Sequence, residues 1–183
     1  MHPVERSSTR LELRELAPDD VDAVFAVYGS AEATEHLSFE PRSRDQVEQI
    51  VTRSIAAATA TPRTEYALAV IERETAELIG FGRLATDPHQ QRGATIGFAL
   101  RPASWGFGYG VETVKLLLSA AFEDLDLHRV WGARSPLNTA SARTMEAAGM
   151  VEEGTIREHV FKAGRWRDSV VHAILDQEWN AAR

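Results

Sequence analysis

The sequence contains no cysteine and no long apolar run. The absence of cysteine among the 183 residues excludes disulfides, thiolate nucleophiles and thiolate metal ligands. No apolar stretch approaches the roughly 18 to 20 residues that a membrane-spanning helix needs. The N-terminus also lacks the apolar stretch of a signal peptide. These absences favour a cytoplasmic protein without a membrane partner.

The chain also lacks an excess of positive charge. It has 20 Lys and Arg residues against 27 Asp and Glu, a formal net charge of -7. Because nucleic-acid binding depends on cations that neutralise phosphates, this balance argues against a nucleic-acid partner. The six histidines form no His-x-x-x-His pair and no carboxylate cluster at metal-ligand spacing. We therefore predict no metal.

Length and apolar patterning predict one domain. At about 100 to 200 residues per domain, 183 residues fit a single core. Residues 1–8 are polar and contain proline, so we expect a flexible tail there and one domain over residues 9–183. The alternating Leu11 and Leu13 then predict the first strand.

Further along, helix and strand signals predict an α+β fold. Pro18 followed by acids marks one helix start, and Ser43 with Gln46 forms a capping box for a second. Residues 31–42 between them are predicted to be a loop. Strands are predicted over 66–72, 78–85, 94–101, 128–134, 150–161 and 168–175, and helices follow the strands that end near 101 and 134. This order indicates a mixed, mostly antiparallel sheet of about seven strands, with helices on both faces.

Three alternating glycines, Gly106, Gly108 and Gly110, lie between a predicted strand and an amphipathic helix. Glycine lets successive backbone N–H groups converge on a phosphate at a helix N-terminus. Alone, such glycines fit a flexible turn equally well. The dinucleotide fingerprint needs a different glycine spacing, and the P-loop needs a lysine that is missing here. We interpret the turn as a pyrophosphate cradle.

Four segments in this order carry a family resemblance over nearly the whole chain. They are Ala94-Thr-Ile-Gly-Phe-Ala-Leu, Trp105-Gly-Phe-Gly-Tyr-Gly with Glu112, Asn138-Thr-Ala-Ser-Ala-Arg with Gly149-Met, and Gly164-Arg-Trp-Arg-Asp with Glu178-Trp. In combination they resemble the Gcn5-related N-acetyltransferase (GNAT) superfamily, specifically its ribosomal-protein N-terminal (alanine) acetyltransferase branch. The superfamily turn usually begins with Arg or Gln, and Trp105 stands at that place here.

The resemblance implies acetyl-CoA as acyl donor and coenzyme A as the only cofactor. It implies a splayed pair of parallel strands over 95–100 and 129–133, with the thioester in the gap. Backbone amides from Gly106 to Val111 would hold the pyrophosphate, and Phe98 to Leu100 would pair with the pantetheine arm. The implied coenzyme-binding residues are Phe98, Ala99, Leu100, Trp105, Gly106, Phe107, Gly108, Tyr109, Gly110, Val111, Asn138, Ser141 and Arg143.

The same resemblance implies catalytic roles for Ser141 and Asn138. A tyrosine that often protonates the leaving thiolate is replaced here by Met145, and a glutamate common in this branch is replaced by Thr95. Helix capping alone also accounts for Asn138. Candidates for a general base remain open, and they are Glu35, His36, Asp87, His159 and His172.

Residues 31–42 and 161–167 are the segments that the resemblance associates with the acceptor. It implies transfer to a primary amine, either a peptide or protein N-terminus or a small molecule such as an antibiotic. A non-catalytic acyl-CoA sensor is the alternative that Thr95 and Met145 keep open. A homodimer formed through the C-terminal strands is compatible with this family.

Overall fold

The computed structural model describes residues 4–181. The strands are β1 Arg6–Ser7, β2 Leu11–Glu15, β3 Glu65–Glu72, β4 Glu77–Thr86, β5 Gly93–Leu100, β6 Arg129–Arg134, β7 Val151–Lys162 and β8 Arg165–Leu175. The helices are α1 Val21–Tyr28, α2 Ala31–Thr34, α3 Arg44–Ala58, α4 Tyr109–Ser119, α5 Thr139–Ala147 and α6 Asp176–Ala181. Within residues 4–181, no helix has both the length and the apolar character needed to cross a membrane.

All eight strands form one sheet in the order β1-β2-β3-β4-β5-β6-β8-β7. Neighbouring strands pair antiparallel, except that β5 and β6 are parallel. The predicted α+β class with a mixed, mostly antiparallel sheet is confirmed. The sheet has one strand more than the predicted seven, because β1 precedes the first predicted strand.

The additional strand lies in the segment predicted to be a flexible tail. Arg6 and Ser7 pair with β2, Val4 is buried, and Nε of Arg6 donates to Oδ2 of Asp124 at 2.9 Å. Residues 4–8 are therefore part of the domain, since a strand ladder and an ion pair attach them to it. The remainder of the predicted tail, residues 1–3, lies outside the described residues.

Alternation along the strands sends successive side chains into two apolar cores. Leu68 and Val70 of β3 pack in a core with α4 and α5, while Ala67 and Ala69 pack in a second core with α1 and α3. Helices therefore cover both faces, as predicted. We call these faces the α4/α5 face and the α1/α3 face.

Capping residues explain where two of the helices on the α1/α3 face begin. At α3 the predicted box is present: Oγ of Ser43 accepts from the Gln46 N–H, and the Gln46 side chain accepts from the Ser43 N–H. Residues 31–42, predicted to be a loop, contain the short helix α2. Ser30 caps it by accepting from the Ala33 N–H at 3.2 Å. One helical turn thus interrupts the predicted loop.

Candidate functional site

The centre of the site is the point where β5 and β6 separate. Their parallel ladder consists of three pairs, which end at Thr95 and Trp131, although β5 continues to Leu100 and β6 to Arg134. Beyond the last pair, the edge of β5 that faces β6 has backbone groups without a ladder partner on that strand. The predicted splayed pair of parallel strands is therefore present.

A cavity of about 770 Å³ follows this gap. It is lined by the ends of both strands, by the turn before α4 and the start of α5, and by α2 with the loop that follows it. Its size is within the roughly 300 to 1,000 Å³ typical of small-molecule sites. The cavity joins two chemically different ends, one at the N-termini of α4 and α5 and one beneath α2.

At the first end, the glycine turn adopts the conformation that favours glycine. Gly106 and Gly108 have φ values of 84° and 82°. Gly108 is the N-cap of α4 and offers no side-chain cap, so the N–H groups of the first helical turn, residues 109–111, are free to bind an anion. Gly110 lies against α5, because a Cβ placed on it would be 3.3 Å from Cγ2 of Thr144. This geometry fits a pyrophosphate.

Two aromatic residues of the turn contact neighbouring strands. Nε1 of Trp105 donates to the Leu100 carbonyl at 2.9 Å, so Trp105 supports the end of β5. The Tyr109 hydroxyl donates to Glu72 on β3. Both residues line the cavity, while Phe107 between them is exposed and does not line it.

Glu112, in the first turn of α4, binds the N-terminal segment. Its carboxylate accepts from the Ser8 hydroxyl, from the Arg10 N–H at 3.1 Å and from Nε and Nη2 of Arg10 at 2.9 and 2.7 Å. Burial opposes its ionisation, but these hydrogen bonds outweigh burial and lower its pKa. Glu112 is thus an ion-paired anchor between α4 and the start of β2.

At the start of α5, Asn138 is the N-cap. Its Oδ1 accepts from the Ser141 N–H at 2.9 Å, which accounts for one role of Asn138. Asn138 and Ser141 are half-buried and line the cavity, and Met145 lines it from a buried position. Arg143 is exposed and lies outside the cavity wall. The structure thus brings Ser141 and Asn138 to the gap but not Arg143.

The five candidates for a general base fall into two groups. Glu35, His36 and His159 line the cavity at the end beneath α2. Asp87 accepts from the His89 N–H and from Nε1 of Trp131, and these bonds lower its pKa. His172 is fully buried on β8. Neither Asp87 nor His172 lines the cavity.

Two arginines at this end were not named individually in the sequence-based prediction, although Arg167 is the last residue of segment 161–167, which was associated with the acceptor. Nε of Arg83 on β4 donates to Oε1 of Glu65 at 2.6 Å, and Nη1 of Arg167 on β8 donates to the His36 carbonyl at 3.1 Å. Both line the cavity. Arg83 carried a usable signal, because it is a charged residue between Gly82 and Leu84 in an otherwise apolar strand.

Comparison with known proteins agrees with this geometry. Residues 10–151 match the family model for the acetyltransferase (GNAT) domain. The chain is 28% identical over 167 residues to the uncharacterized N-acetyltransferase YoaA of Bacillus subtilis, covering 91% of this chain and 93% of the relative.

Two solved structures show the same fold. One is spermidine N-acetyltransferase from Vibrio cholerae in complex with CoA and spermine, with a TM-score of 0.82 and 24% identity over 94% of this chain and 99% of the other. The second is ribosomal-protein-S5-alanine acetyltransferase from Vibrio fischeri, with a TM-score of 0.77 and 19% identity over 96% and 98% of the two chains. The family match spans most of the chain, and the protein therefore belongs to the GNAT family of N-acetyltransferases.

Proposed function

We propose that this enzyme transfers an acetyl group from acetyl-CoA to a primary amine by direct attack within a ternary complex. The observation that carries the proposal is the continuous cavity through the gap between β5 and β6. A phosphate-binding turn lies at one end, and a second, chemically distinct end lies beneath α2. Donor and acceptor would enter from these ends and meet at the gap.

The donor half rests on the fit between the turn and a pyrophosphate. The left-handed Gly106 and Gly108 and the uncapped first turn of α4 offer converging N–H groups to an anion. The unpaired edge of β5 over residues 98–100 would align the pantetheine arm as an added strand would align. Because the Leu100 carbonyl already accepts a hydrogen bond from Nε1 of Trp105, we assign the pantetheine contacts chiefly to Phe98 and Ala99.

The chemistry needs no covalent enzyme intermediate. The nitrogen lone pair of the neutral amine attacks the thioester carbonyl, and a backbone N–H on the open edge of β5 stabilises the oxyanion. The tetrahedral adduct then expels the coenzyme thiolate, and the proton that the nitrogen loses as the amide forms is taken up by that sulfur. Ser141, at the N-terminus of α5, would donate a hydrogen bond to that sulfur, and Asn138 would position the coenzyme beside it.

The attacking amine must first lose its ammonium proton. Among Glu35, His36 and His159, His36 is the one that is half-buried, and its carbonyl is held by Arg167. A histidine side chain is suited to accept a proton near neutral pH. We therefore assign the base role to His36.

The acceptor is a peptide or protein N-terminus or a small amine. By name, the two solved relatives act on a polyamine and on a ribosomal-protein alanine. The alternative is a sensor that binds acyl-CoA without turnover, which Thr95 and Met145 on the cavity wall keep as a second candidate.

Thiol release from acetyl-CoA tests the proposal. The panel of acceptors contains N-terminal peptides, amino acids, polyamines and aminoglycosides, and a thiol-reactive dye reports free coenzyme A. Amine-dependent release with an equimolar N-acetylated product supports the proposal. Calorimetric binding of acetyl-CoA without release across the panel would instead support the sensor.

A further inference from the structure

Arg167 lines the cavity and has no carboxylate partner among residues 4–181. Its Nε is buried and makes no hydrogen bond within the described chain. The two other arginines that line the cavity differ, since Arg83 pairs with Glu65 and Arg134 with Glu152. Arg167 is therefore the cavity arginine with an unused donor and an unneutralised charge.

Burial makes this arrangement costly. The Arg167 side chain is half-buried with its Nε fully buried, and this burial lowers its pKa, yet a guanidinium stays protonated in proteins. A partly buried charge without a counter-charge and a buried N–H donor without a partner both oppose folding. Such a group is expected where a ligand supplies the missing partner.

The position of Arg167 assigns that ligand to the acceptor end. Nη1 of Arg167 donates to the carbonyls of His36 and Leu37, and Leu37 packs against the core of the α1/α3 face, so the Arg167 side chain lies on that face. The cradle and α5 lie on the opposite face. The phosphates of a coenzyme bound in the cradle therefore do not account for Arg167.

A purely structural role does not use all of the Arg167 donors. Its Nη1 donates to the carbonyls of His36 and Leu37 at 3.1 and 3.4 Å. Lys162 already holds this loop, because its Nζ donates to the carbonyls of Thr34, Glu35 and Leu37 at 2.7 to 3.1 Å. The carbonyl contacts thus leave the Nε and Nη2 donors of Arg167 without hydrogen-bond partners within residues 4–181.

We propose that Arg167 binds a carboxylate carried by the amine acceptor, so that the enzyme prefers acceptors with both an amine and a carboxylate. This inference rests on the proposed function. The planar guanidinium suits a carboxylate, which accepts from two of its N–H groups. The carboxylate could be the α-carboxylate of a free amino acid or an acidic side chain near a peptide N-terminus.

The acidic residues Glu32 and Glu35 at the mouth favour a cation, as a polyamine acceptor would require. Both are exposed. Exposed charges are screened by water and salt, whereas a half-buried charge such as that of Arg167 is screened less. We therefore give more weight to Arg167, and polyamine preference is the competing outcome of the experiment.

The experiment compares acceptors that differ in one carboxylate. One arm uses free amino acids and their carboxamides, and the other uses amidated tripeptides with Asp or Asn as the second residue. In one arm the wild-type enzyme should prefer the carboxylate by about 10- to 100-fold in kcat/KM, as expected for a charge-assisted bond. A preference among the free amino acids would identify an α-carboxylate as the ligand, and a preference among the tripeptides would identify an acidic side chain.

Variants of Arg167 test whether this residue causes the preference for a carboxylate. In Arg167→Gln the ratio of kcat/KM for the carboxylate to kcat/KM for the carboxamide should collapse towards one, through a higher KM for the carboxylate. Arg167→Lys should recover part of the preference. Arg165→Gln is the matched control, since Arg165 is exposed on the same strand and lies outside the cavity wall. An equal loss of kcat/KM for the carboxylate and for its carboxamide would show that Arg167 only holds the loop that contains His36 and Leu37.

A binding measurement separates this inference from the proposed function. The coenzyme A complex is titrated calorimetrically with N-acetyl amino acids and with their carboxamides. If no acceptor causes thiol release, the proposed function fails. Even then, stronger binding of the carboxylates than of the carboxamides, lost in Arg167→Gln, would support carboxylate binding by Arg167. Equal binding of both members, or a wild-type preference for polyamines over every carboxylate acceptor, would overturn the inference.

Discussion

Nε of Arg134 donates a hydrogen bond to Nε2 of His172, 3.0 Å away. Because a guanidinium is always a donor, this bond fixes Nε2 as the acceptor and puts the imidazole proton on Nδ1. His172 is fully buried, and its Nδ1 has no partner among the described residues. Burial first, and then the charge of Arg134, lower its pKa below 6.5. His172 is therefore a neutral core residue.

This histidine should make stability depend on pH. Its folded pKa lies below the unfolded value of 6.5, so between these two values the unfolded state binds the proton preferentially. The free energy of unfolding should fall as pH is lowered from 6.5, by about 1.4 kcal/mol for each unit in that window, and should not change through His172 above it. Urea denaturation at pH 8, 6.5 and 5.5 measures the effect.

The control for this dependence is His172→Gln. Glutamine keeps an acceptor for Arg134 but does not titrate, so the variant should lose part of the slope below pH 6.5 whatever its absolute stability. Parallel pH profiles for the two proteins would contradict the assignment. The difference isolates His172 from the other histidines, which titrate in both proteins.

The cradle predicts different effects of alanine at two glycines. Gly106 and Gly164 have φ values of 84° and 74°, and a Cβ on either would meet no atom within 4 Å. Both alanine variants should therefore lose a similar stability of about 1 kcal/mol from the left-handed conformation. Because Gly106 alone faces the proposed pyrophosphate, Gly106→Ala should also weaken acetyl-CoA binding about tenfold, measured by calorimetry. Equal affinity of Gly106→Ala and Gly164→Ala for acetyl-CoA would argue against a pyrophosphate site at Gly106.

At Asn138, two substitutions separate capping from coenzyme binding. Asn138→Ala removes the acceptor for the Ser141 N–H and should lower the free energy of unfolding by about 1 kcal/mol. Asn138→Asp keeps an acceptor oxygen, so stability should be retained, but it loses the amide donor. If Asn138 binds the coenzyme, Asn138→Asp should raise the Kd for acetyl-CoA. Wild-type affinity and turnover in this variant would leave capping as its role.

Glu112 should matter for stability and not for chemistry. Its carboxylate accepts four hydrogen bonds from Ser8 and Arg10, and its side chain is 17% exposed. Removing these bonds in Glu112→Ala should cost about 1 to 2 kcal/mol of unfolding free energy. The value of kcat at saturating acetyl-CoA should stay within about twofold, because Glu112 does not line the cavity. A large loss of kcat in a folded variant would give Glu112 a catalytic role.

The elements that were predictable from sequence have local causes. The box of Ser43 and Gln46, the glycines before α4 and the alternation along β3 depend on residues a few positions apart. In contrast, β1 forms because Arg6 reaches Asp124, 118 positions along the chain, and because β2 is available for pairing. A two-residue strand has no periodicity of its own from which to predict it.

The residues of the candidate site likewise divide into those with a local sequence pattern and those placed by long-range contacts. Turn and cap residues such as Gly108 and Asn138 were predictable because a helix start has a local pattern. Arg167 lay in segment 161–167, which the resemblance associates with the acceptor, but its individual place in the cavity was not predictable, since it depends on contact with His36, 131 positions away. Asp87 was proposed as a base from residue type alone, whereas its contact with Trp131 spans 44 positions. Long-range packing decides which polar side chains face the gap.

The proposed role of Ser141 is tested by the effect of Ser141→Ala on single-turnover and steady-state rates. If its hydroxyl donates to the departing sulfur, kcat should fall by about 10- to 100-fold, as general acid–base contributions do. The Kd for acetyl-CoA should change little, because the cap uses the Ser141 backbone N–H, which alanine retains. Thr139→Ala is the matched control, as Thr139 lines the same cavity from the same helix turn. A decrease in kcat specific to Ser141, largest for thioesters with the most basic leaving thiolates, would place the hydroxyl at the sulfur, whereas equal rates in the two variants would remove Ser141 from the chemical step.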